Sequence, residues 1–252
     1  MSRQRLGQHF LIQGSALHRV ASAACPDHEP LVIEIGPGRG ALTERLLDRA
    51  DRVVAIEIDS QLVQFLREKF RDEPRLTLIQ ADALETDLGQ WGDAAVAGNL
   101  PYYAATPIIE KTLALGARLR RAVFLVQKEV AARLAARPGT RDYGYLTVKT
   151  QFLAEVKALF DVRPSAFRPP PKVDSTLVRL EPHDRAAELG IAGTAQFLAF
   201  TSLCFRQKRK TIRNNLAATY GKDALSGLPE SGKRAEELTL EQFADLYHRL
   251  IS

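Results

Sequence analysis

An apolar run at positions 94–98 is followed directly by four residues able to bind a nucleobase, Asn99, Leu100, Pro101 and Tyr102. The run predicts a buried strand, so the motif lies at a strand end. A carboxamide, a rigid turn and an aromatic ring at that place suit the binding of an amino group on a flat base. An ordinary strand-to-helix turn with one buried ring is the alternative, and the four residues alone do not decide between the two.

An upstream glycine-rich loop favours the binding of a nucleoside. The apolar run 31–35 predicts a parallel strand, and the glycines Gly36 and Gly38 that follow let the backbone approach a ligand. The next apolar run ends in Glu57, about twenty residues after the first glycine, where a carboxylate can accept hydrogen bonds from both ribose hydroxyls. A third run precedes Asp82, which can accept a hydrogen bond from an adenine amino group.

The same loop also fits a dinucleotide fingerprint, so a nicotinamide dehydrogenase is one alternative. Pro37 removes a backbone N–H that would bind a pyrophosphate, and Glu34 places a carboxylate near the loop. Both features favour a cofactor without phosphates. S-adenosylmethionine, which carries a sulfonium and an ammonium group, therefore fits better.

Six ordered segments of the chain resemble the small-subunit ribosomal RNA adenine dimethyltransferases, the bacterial enzymes linked to kasugamycin sensitivity. The resemblance covers nearly the whole length and makes coincidence very improbable. The segments are 7–11 (Gly-Gln-His-Phe-Leu), 34–38 (Glu-Ile-Gly-Pro-Gly) with Leu42 and Thr43, 99–102 with Thr106 and Pro107, 127–130 (Gln-Lys-Glu-Val), 167–175 (Phe-Arg-Pro-Pro-Pro-Lys-Val-Asp-Ser) and 205–216 (Phe-Arg-Gln-Lys-Arg-Lys-Thr-Ile-Arg-Asn-Asn-Leu).

The resemblance implies a class I methyltransferase fold, S-adenosylmethionine as the methyl donor, and dimethylation of N6 of two adjacent adenosines. In the family these adenosines lie in the hairpin loop near the 3′ end of small-subunit ribosomal RNA. The family's substrate is a partly assembled small subunit, so the expected partner is ribosomal RNA within a pre-ribosomal particle late in assembly.

The chemistry of an adenine amino group assigns roles to the motif. Its nitrogen is a poor nucleophile because the lone pair is delocalised into the ring, so two acceptors must draw it toward sp³ geometry. We assign the side-chain oxygen of Asn99 and the backbone carbonyl of Leu100, which Pro101 holds in an extended conformation. Tyr102 is predicted to stack on the everted base, and Phe167 to form the opposite wall unless it is plain core packing.

His9 departs from the family pattern, which usually has asparagine at this position. Hydrogen bonding is common to both residues, so we interpret His9 as a pocket residue rather than as a base or a metal ligand. No metal is expected, because the only cysteines, Cys25 and Cys204, are far apart in the sequence. The residues assigned to the cofactor, several of them through the resemblance, are His9, Leu11, Gly36, Gly38, Glu57, Ile58, Asp82, Ala83 and Asn99.

A local concentration of positive charge predicts contact with RNA. The chain carries a net charge of +5, yet the carboxy-terminal part outside residues 206–213 has more acidic than basic residues. If this segment is helical, three of its cations share one face, along which phosphates can lie. An ordinary solvated helix face is the alternative. The predicted RNA-binding residues are Arg206, Lys208, Arg209, Lys210 and Arg213.

Alternating apolar runs and amphipathic segments predict an α/β, Rossmann-like fold with a mostly parallel sheet. Two β-rich pieces, 155–162 and 175–180, predict an antiparallel edge hairpin with the proline stretch as a stiff loop between them. The pattern then becomes helical only. We expect a methyltransferase domain at 1–183 and a small all-α, RNA- or ribosome-binding domain at 184–252.

Other functions remain open at this stage. The related large-subunit ribosomal RNA dimethyltransferases of macrolide resistance share the core chemistry, and an assembly or transcription factor can use a methyltransferase scaffold. The segment 205–216 favours the small-subunit group. No apolar run approaches transmembrane length, so we expect a cytoplasmic protein without a membrane partner. A monomer is expected, because an enzyme that docks on so large a particle has little need to dimerise.

Overall fold

The computed structural model describes residues 8–251 of the chain, so Gly7 of the first matching segment lies outside the described residues. It forms two compact units: residues up to 131 with 156–182, and residues 132–155 with 183 onward. In chain order the strands are β1 (Phe10–Leu11), β2 (Glu29–Ile35), β3 (Ala50–Glu57), β4 (Leu76–Gln80), β5 (Ala94–Asn99), β6 (Leu119–Gln127), β7 (Ala154–Val162), β8 (Phe167–Arg168) and β9 (Ser175–Pro182). The helices are α1 (Gly14–Ala24), α2 (Ala41–Leu47), α3 (Ser60–Lys69), α4 (Ala105–Leu113), α5 (Lys128–Leu134), α6 (Tyr145–Leu153), α7 (Arg185–Glu188), α8 (Thr194–Cys204), α9 (Ile212–Tyr220) and α10 (Leu240–Ile251).

The first unit is built on a seven-stranded sheet with the order β4-β3-β2-β5-β6-β9-β7. The strands from β4 to β6 run parallel and β9 is antiparallel to β6. This confirms the predicted α/β fold, and the two predicted edge pieces form β9 and β7, the last two strands at one edge. The chain runs outward from β2 to β4 and returns to β5, so the carboxyl ends of β2 and β5 border a topological switch point. Ligands of open α/β sheets bind at such points.

Close approach of β2 and β5 brings the two sequence motifs together. Val32 pairs with Ala95 and Glu34 with Ala97. At the end of β5 a Cβ on Gly98 would lie 2.5 Å from the carbonyl oxygen of Ile35, so only glycine fits there. The glycine-rich loop after β2 and the Asn-Leu-Pro-Tyr motif after β5 are therefore neighbours.

A short antiparallel ribbon joins the amino-terminal segment to the stretch between β7 and β9. In this ribbon of β1 and β8, Leu11 pairs with Phe167, and the backbone N–H of Ile12 donates to the carbonyl of Ala166 at 2.9 Å. The strand β8 lies directly before the proline stretch, in residues for which no strand was predicted. It holds residues 9–12 against the rest of the first unit.

Helix α2 ends earlier than predicted. The sequence pattern indicates a helix from Leu42 to Ala50, but the helix ends at Leu47 and β3 begins at Ala50. A turn in which the Arg49 N–H donates to the Leu46 carbonyl at 2.9 Å closes the helix. Ala50, the last residue of the predicted helix, instead begins β3.

The second unit is helical, and it includes more of the chain than its carboxy-terminal part. Residues 132–155 pack with the helices that follow residue 183. The rings of Phe152 and Phe197 lie 4.6 Å apart, and the Tyr143 hydroxyl donates to the Leu238 carbonyl at 2.8 Å. Because α6 buries its apolar side chains in this helical core, this stretch groups with the second unit, although its last two residues begin β7.

Within residues 8–251, no helix has the length and apolar character needed to cross a membrane. Across the same residues, histidine, cysteine and acidic side chains do not come together in a group of three that could hold a metal ion.

Candidate active site

A cavity of about 170 Å³ opens at the carboxyl ends of β2, β3 and β5 in the first unit. Every cofactor-binding residue predicted from the sequence lines it, and so do four of the five predicted catalytic residues. Their gathering follows from the parallel sheet, which places successive strand ends at one edge. The lining residues among those predicted are His9, Leu11, Gly36, Gly38, Glu57, Ile58, Asp82, Ala83, Asn99, Leu100, Pro101 and Tyr102.

The glycine-rich loop forms one wall in a conformation that favours glycine. Gly36 and Gly38 have φ angles of +69° and +58°, in the left-handed region. A Cβ on Gly38 would also lie 2.8 Å from the ring of Phe10, which packs against the loop. Sequence reasoning missed Phe10, because its contact with Gly38 depends on the β1–β8 ribbon.

Glu57 holds this loop and the start of α3 together. Its carboxylate accepts hydrogen bonds from the backbone N–H groups of Gly38, at 3.1 Å, and Asp59, at 3.0 Å. Burial raises the pKa of Glu57, while the two backbone hydrogen bonds act in the opposite direction. A carboxylate has about four acceptor positions, so capacity remains for ligand hydroxyls.

Glu34 lies beneath the loop and is only 1% exposed. The Thr43 hydroxyl donates to its carboxyl group at 2.6 Å. Burial raises the pKa of Glu34 to about 8, with the nearby carboxylate of Glu57 adding to the rise. The side chain is therefore mostly protonated at neutral pH. The expectation that Glu34 supplies a negative charge near the loop was wrong, because desolvation in the core outweighs its single hydrogen bond.

Asp82 lies in a tight turn after β4. One oxygen of its carboxylate accepts a hydrogen bond from the Leu84 N–H at 2.8 Å, and the Lys111 ammonium donates to the Leu84 carbonyl. Lys111 comes from α4, the helix that follows the Asn-Leu-Pro-Tyr motif. The turn is thus held from two sides, and the second carboxylate oxygen of Asp82 makes no side-chain hydrogen bond within the described residues. No sequence signal identified Lys111.

The side-chain amide of Asn99 has a defined orientation. Its Nδ2 donates to the backbone carbonyl of His9 at 2.7 Å. A carbonyl only accepts hydrogen bonds, so the amide nitrogen must occupy this side, and the oxygen Oδ1 takes the other. His9 is itself fixed, because its Nδ1 donates to the carbonyl of Pro169 at 2.8 Å.

Tyr102 and Leu100 take different positions beside Asn99. The Tyr102 ring lies 5.5 Å from the His9 ring at 33°, and its enclosed hydroxyl lies beside Ser175 without a well-formed hydrogen bond. Burial raises the pKa of Tyr102. The Leu100 side chain is buried, and its N–H donates to the Leu125 carbonyl at 3.1 Å, which fixes the motif to β6.

Phe167 does not lie where the sequence prediction puts it. It is 4% exposed, belongs to the core of the first unit and does not line the cavity. Strand pairing with Leu11 accounts for this, since the two side chains enter the same apolar cluster. The alternative interpretation of Phe167 as core packing therefore holds in this structure.

Four of the five predicted RNA-binding residues lie on a turn, and the fifth, Arg213, lies at the start of α9. We call residues 206–210 together with Arg213 the basic loop. Residues 206–210 connect α8 to α9, and all five cations of the basic loop are exposed. The buried Asn215 explains the turn. Its Nδ2 donates to the carbonyls of Cys204, Gln207 and Lys210, and its Oδ1 accepts from the Gln207 N–H. The segment is therefore helical only from Ile212 onward, because these contacts replace helical backbone bonds at residues 206–210.

The sheet is mostly parallel, and the cavity at its switch point is bordered by a glycine-rich loop and an Asn-Leu-Pro-Tyr motif. This combination defines a class I methyltransferase. A family model described as ribosomal RNA adenine dimethylase matches residues 1–252. The chain therefore belongs to the ribosomal RNA adenine dimethylase family, as the six segments predicted.

Similar proteins agree with this assignment. The chain is 44% identical to a ribosomal RNA small subunit methyltransferase A from Acidobacterium capsulatum, over 98% of this chain and 91% of that protein. A protein of the same name from Rhodospirillum rubrum is 45% identical, with 97% and 86% coverage.

Two crystal structures share the fold over nearly their whole length. A dimethyladenosine transferase from Plasmodium falciparum has a TM-score of 0.83 at 26% identity, with 95% of this chain and 96% of that chain covered. The 23S rRNA methyltransferase ErmE has a TM-score of 0.76 at 28% identity, with 96% and 100% covered.

Proposed function

We propose that this protein transfers methyl groups from S-adenosylmethionine to N6 of two adjacent adenosines in the 3′-terminal hairpin loop of small-subunit ribosomal RNA. The observation that carries the proposal is the orientation of Asn99, whose amide nitrogen is held by the His9 carbonyl so that its oxygen is left as an acceptor. An adenine amino group is a hydrogen-bond donor of matching chemistry. The small-subunit name of the relatives at 44% and 45% identity supports the choice of RNA.

The cavity fits the proposed cofactor. Glu57 retains acceptor capacity for ribose hydroxyls, and Asp82 has a carboxylate oxygen for the adenine amino group. Ile58 lines the cavity and is 47% exposed, which gives an apolar surface for the adenine face. When bound, S-adenosylmethionine would supply an electrophilic methyl group on a sulfonium. Since Glu34 is mostly protonated, it does not favour a cofactor without phosphates, and of the two loop features only Pro37 does so.

The chain's own residues would act mainly by positioning the target base. Asn99 Oδ1 and the Leu100 carbonyl would each accept one hydrogen of the amino group and turn its lone pair toward the methyl carbon. The amine that attacks a sulfonium becomes a cation and loses its proton readily, so no strong base is needed. The acceptors lie where positive charge develops, which stabilises the transition state. Tyr102 would stack on the everted base and offset part of the cost of extraction.

The basic loop is the proposed contact with the RNA backbone. Its cations are exposed, and Asn215 holds the backbone that carries them through four hydrogen bonds. A loop fixed before binding loses less conformational entropy when it meets a row of phosphates. We propose that the substrate is a pre-ribosomal particle in the cytoplasm and that the enzyme acts as a monomer.

The large-subunit alternative keeps one observation in its favour, the likeness to ErmE. Methyl transfer from labelled S-adenosylmethionine to purified subunits decides between the two. Small-subunit particles from cells lacking the enzyme should become labelled at two adjacent adenosines, and large subunits should not. Label confined to the large subunit would overturn the proposed substrate, and no label on either would overturn the activity.

A further inference from the structure

Three large apolar side chains that line the cavity are exposed: Ile58, which is assigned to the cofactor, and Tyr103 and Ile12. Tyr103 is 63% exposed and Ile12 is 51% exposed, and both line the same cavity as Asn99. Ile12 follows the β1–β8 ribbon, whereas Tyr103 follows Tyr102. Large apolar groups that remain solvated beside a binding cavity indicate a surface that a ligand covers.

Tyr102 and Tyr103 take opposite roles although they are adjacent. The ring of Tyr102 faces His9 and its hydroxyl is enclosed, whereas Tyr103 projects into solvent. Their backbone is fixed, because the Ala104 N–H donates to the Pro101 carbonyl at 3.0 Å and the Ile108 N–H to the Ala104 carbonyl at 3.0 Å. Tyr103 is therefore a ring on a rigid turn, at the entrance and not inside it.

We propose that Tyr103 forms a second nucleobase subsite, which stacks on the base next to the everted adenosine. This inference rests on the proposed function. Removing one base from a strand leaves its neighbour without a stacking partner, and a solvated ring at the entrance replaces that partner. The exposed Ile12 adds apolar surface to the lining of the same cavity.

The subsite would matter most for a substrate with two adjacent target bases. While one adenosine lies in the cavity, the other remains outside beside the entrance. A ring that stacks on the waiting base keeps the strand in place while the first base leaves and the second enters. The recognised group is a purine face, so the ring of Tyr103 is required and its hydroxyl is not.

Steady-state kinetics with undermethylated small-subunit particles test the subsite. The variants are Tyr103→Leu, which keeps an apolar side chain without a ring, and Tyr103→Phe, which keeps the ring. Phe65→Leu is the matched control, since Phe65 is an aromatic residue of α3 that is 47% exposed and does not line the cavity. Calorimetry with S-adenosylmethionine alone, and mass spectrometry of the two adenosines, complete the measurements.

Tyr103→Leu should raise KM for the particle about tenfold, which corresponds to about 1.4 kcal/mol of lost stacking, with cofactor affinity unchanged. It should also increase the fraction of RNA methylated on one adenosine only. Tyr103→Phe and Phe65→Leu should stay within twofold of the wild type. An unchanged KM in Tyr103→Leu, equal losses in the leucine and phenylalanine variants, or an equal loss of cofactor affinity would each overturn the subsite. Failure of the wild type to methylate particles would instead overturn the proposed function.

Discussion

Replacing Glu34 by glutamine should make the protein more stable than the wild type, and the difference should grow as the pH rises. The buried carboxyl has a pKa of about 8, against 4.5 for the free side chain. Between these values the unfolded chain has lost the proton that the folded protein keeps. Stability therefore falls as pH rises through this interval, and above it the folded protein carries a buried charge. Glutamine is neutral at every pH, and its oxygen can still accept the hydrogen bond from Thr43.

The magnitude follows from the size of the interval. Each pH unit between 4.5 and about 8 removes about 1.4 kcal/mol of folding free energy from the wild type relative to the variant. The stability difference between the two proteins should therefore grow by about 2 kcal/mol between pH 5 and 6.5. Its upper limit, reached above pH 8, is about 5 kcal/mol.

Urea unfolding of both proteins without cofactor, at intervals from pH 5 to 8.5, measures this difference. The same substitution at the exposed Glu68 of α3 controls for the loss of a surface charge. The free energy of unfolding of the Glu34→Gln variant should exceed that of the wild type by an amount that grows with pH. For the control variant the difference from the wild type should not change with pH. A difference that is constant with pH, or that shrinks as the pH rises, would show that Glu34 is ionised in the folded protein.

Three further perturbations test the loop, the cofactor contact and the RNA contact. Gly38→Ala should lose about 1–2 kcal/mol of stability in thermal unfolding, because its backbone is left-handed and an added Cβ would meet the Phe10 ring. The control Gly14→Ala should lose none, since the space around Gly14 is open. Glu57→Gln should weaken S-adenosylmethionine binding about tenfold or more in calorimetry, since hydrogen bonds to a charged acceptor contribute about 1.5–3 kcal/mol; unchanged affinity would remove Glu57 from the ribose site. Replacing the five cations of the basic loop by glutamine should weaken particle binding. The slope of log K against log salt concentration should become less steep by about 0.7–0.9 for each phosphate contact that is lost. An unchanged salt slope would place the RNA contact elsewhere.

The sheet and the cavity could be predicted because their signals are local. Apolar runs of five or six residues mark the parallel strands, and the polar residues that end them, such as Glu57 and Asn99, necessarily meet at one edge of the sheet. The order of elements then places the switch point between β2 and β5. Twelve of the predicted residues line one cavity for this reason, although their individual roles stay predictions.

Other features depend on contacts distant in sequence and could not be predicted. The protonation of Glu34 depends on its depth in the core, and the place of Phe167 depends on pairing with Leu11. The turn at residues 206–210 depends on Asn215, whose polar side chain gave no signal beside a run of cations. From the sequence, three of these cations share one face only if the segment is helical. Buried hydrogen bonds from one amide determine the turn instead.

The central claim is that the Asn99 oxygen, oriented by the His9 carbonyl, holds the target amino group. Its most direct test is the single-turnover rate of Asn99→Ala on undermethylated small-subunit particles, with particle binding and S-adenosylmethionine binding measured in parallel. The rate should fall about 10²–10³-fold, as when one preorganised hydrogen-bonding group is removed from other active sites, while the variant still binds particles. A rate within threefold of the wild type at saturating cofactor and particle would contradict the claim.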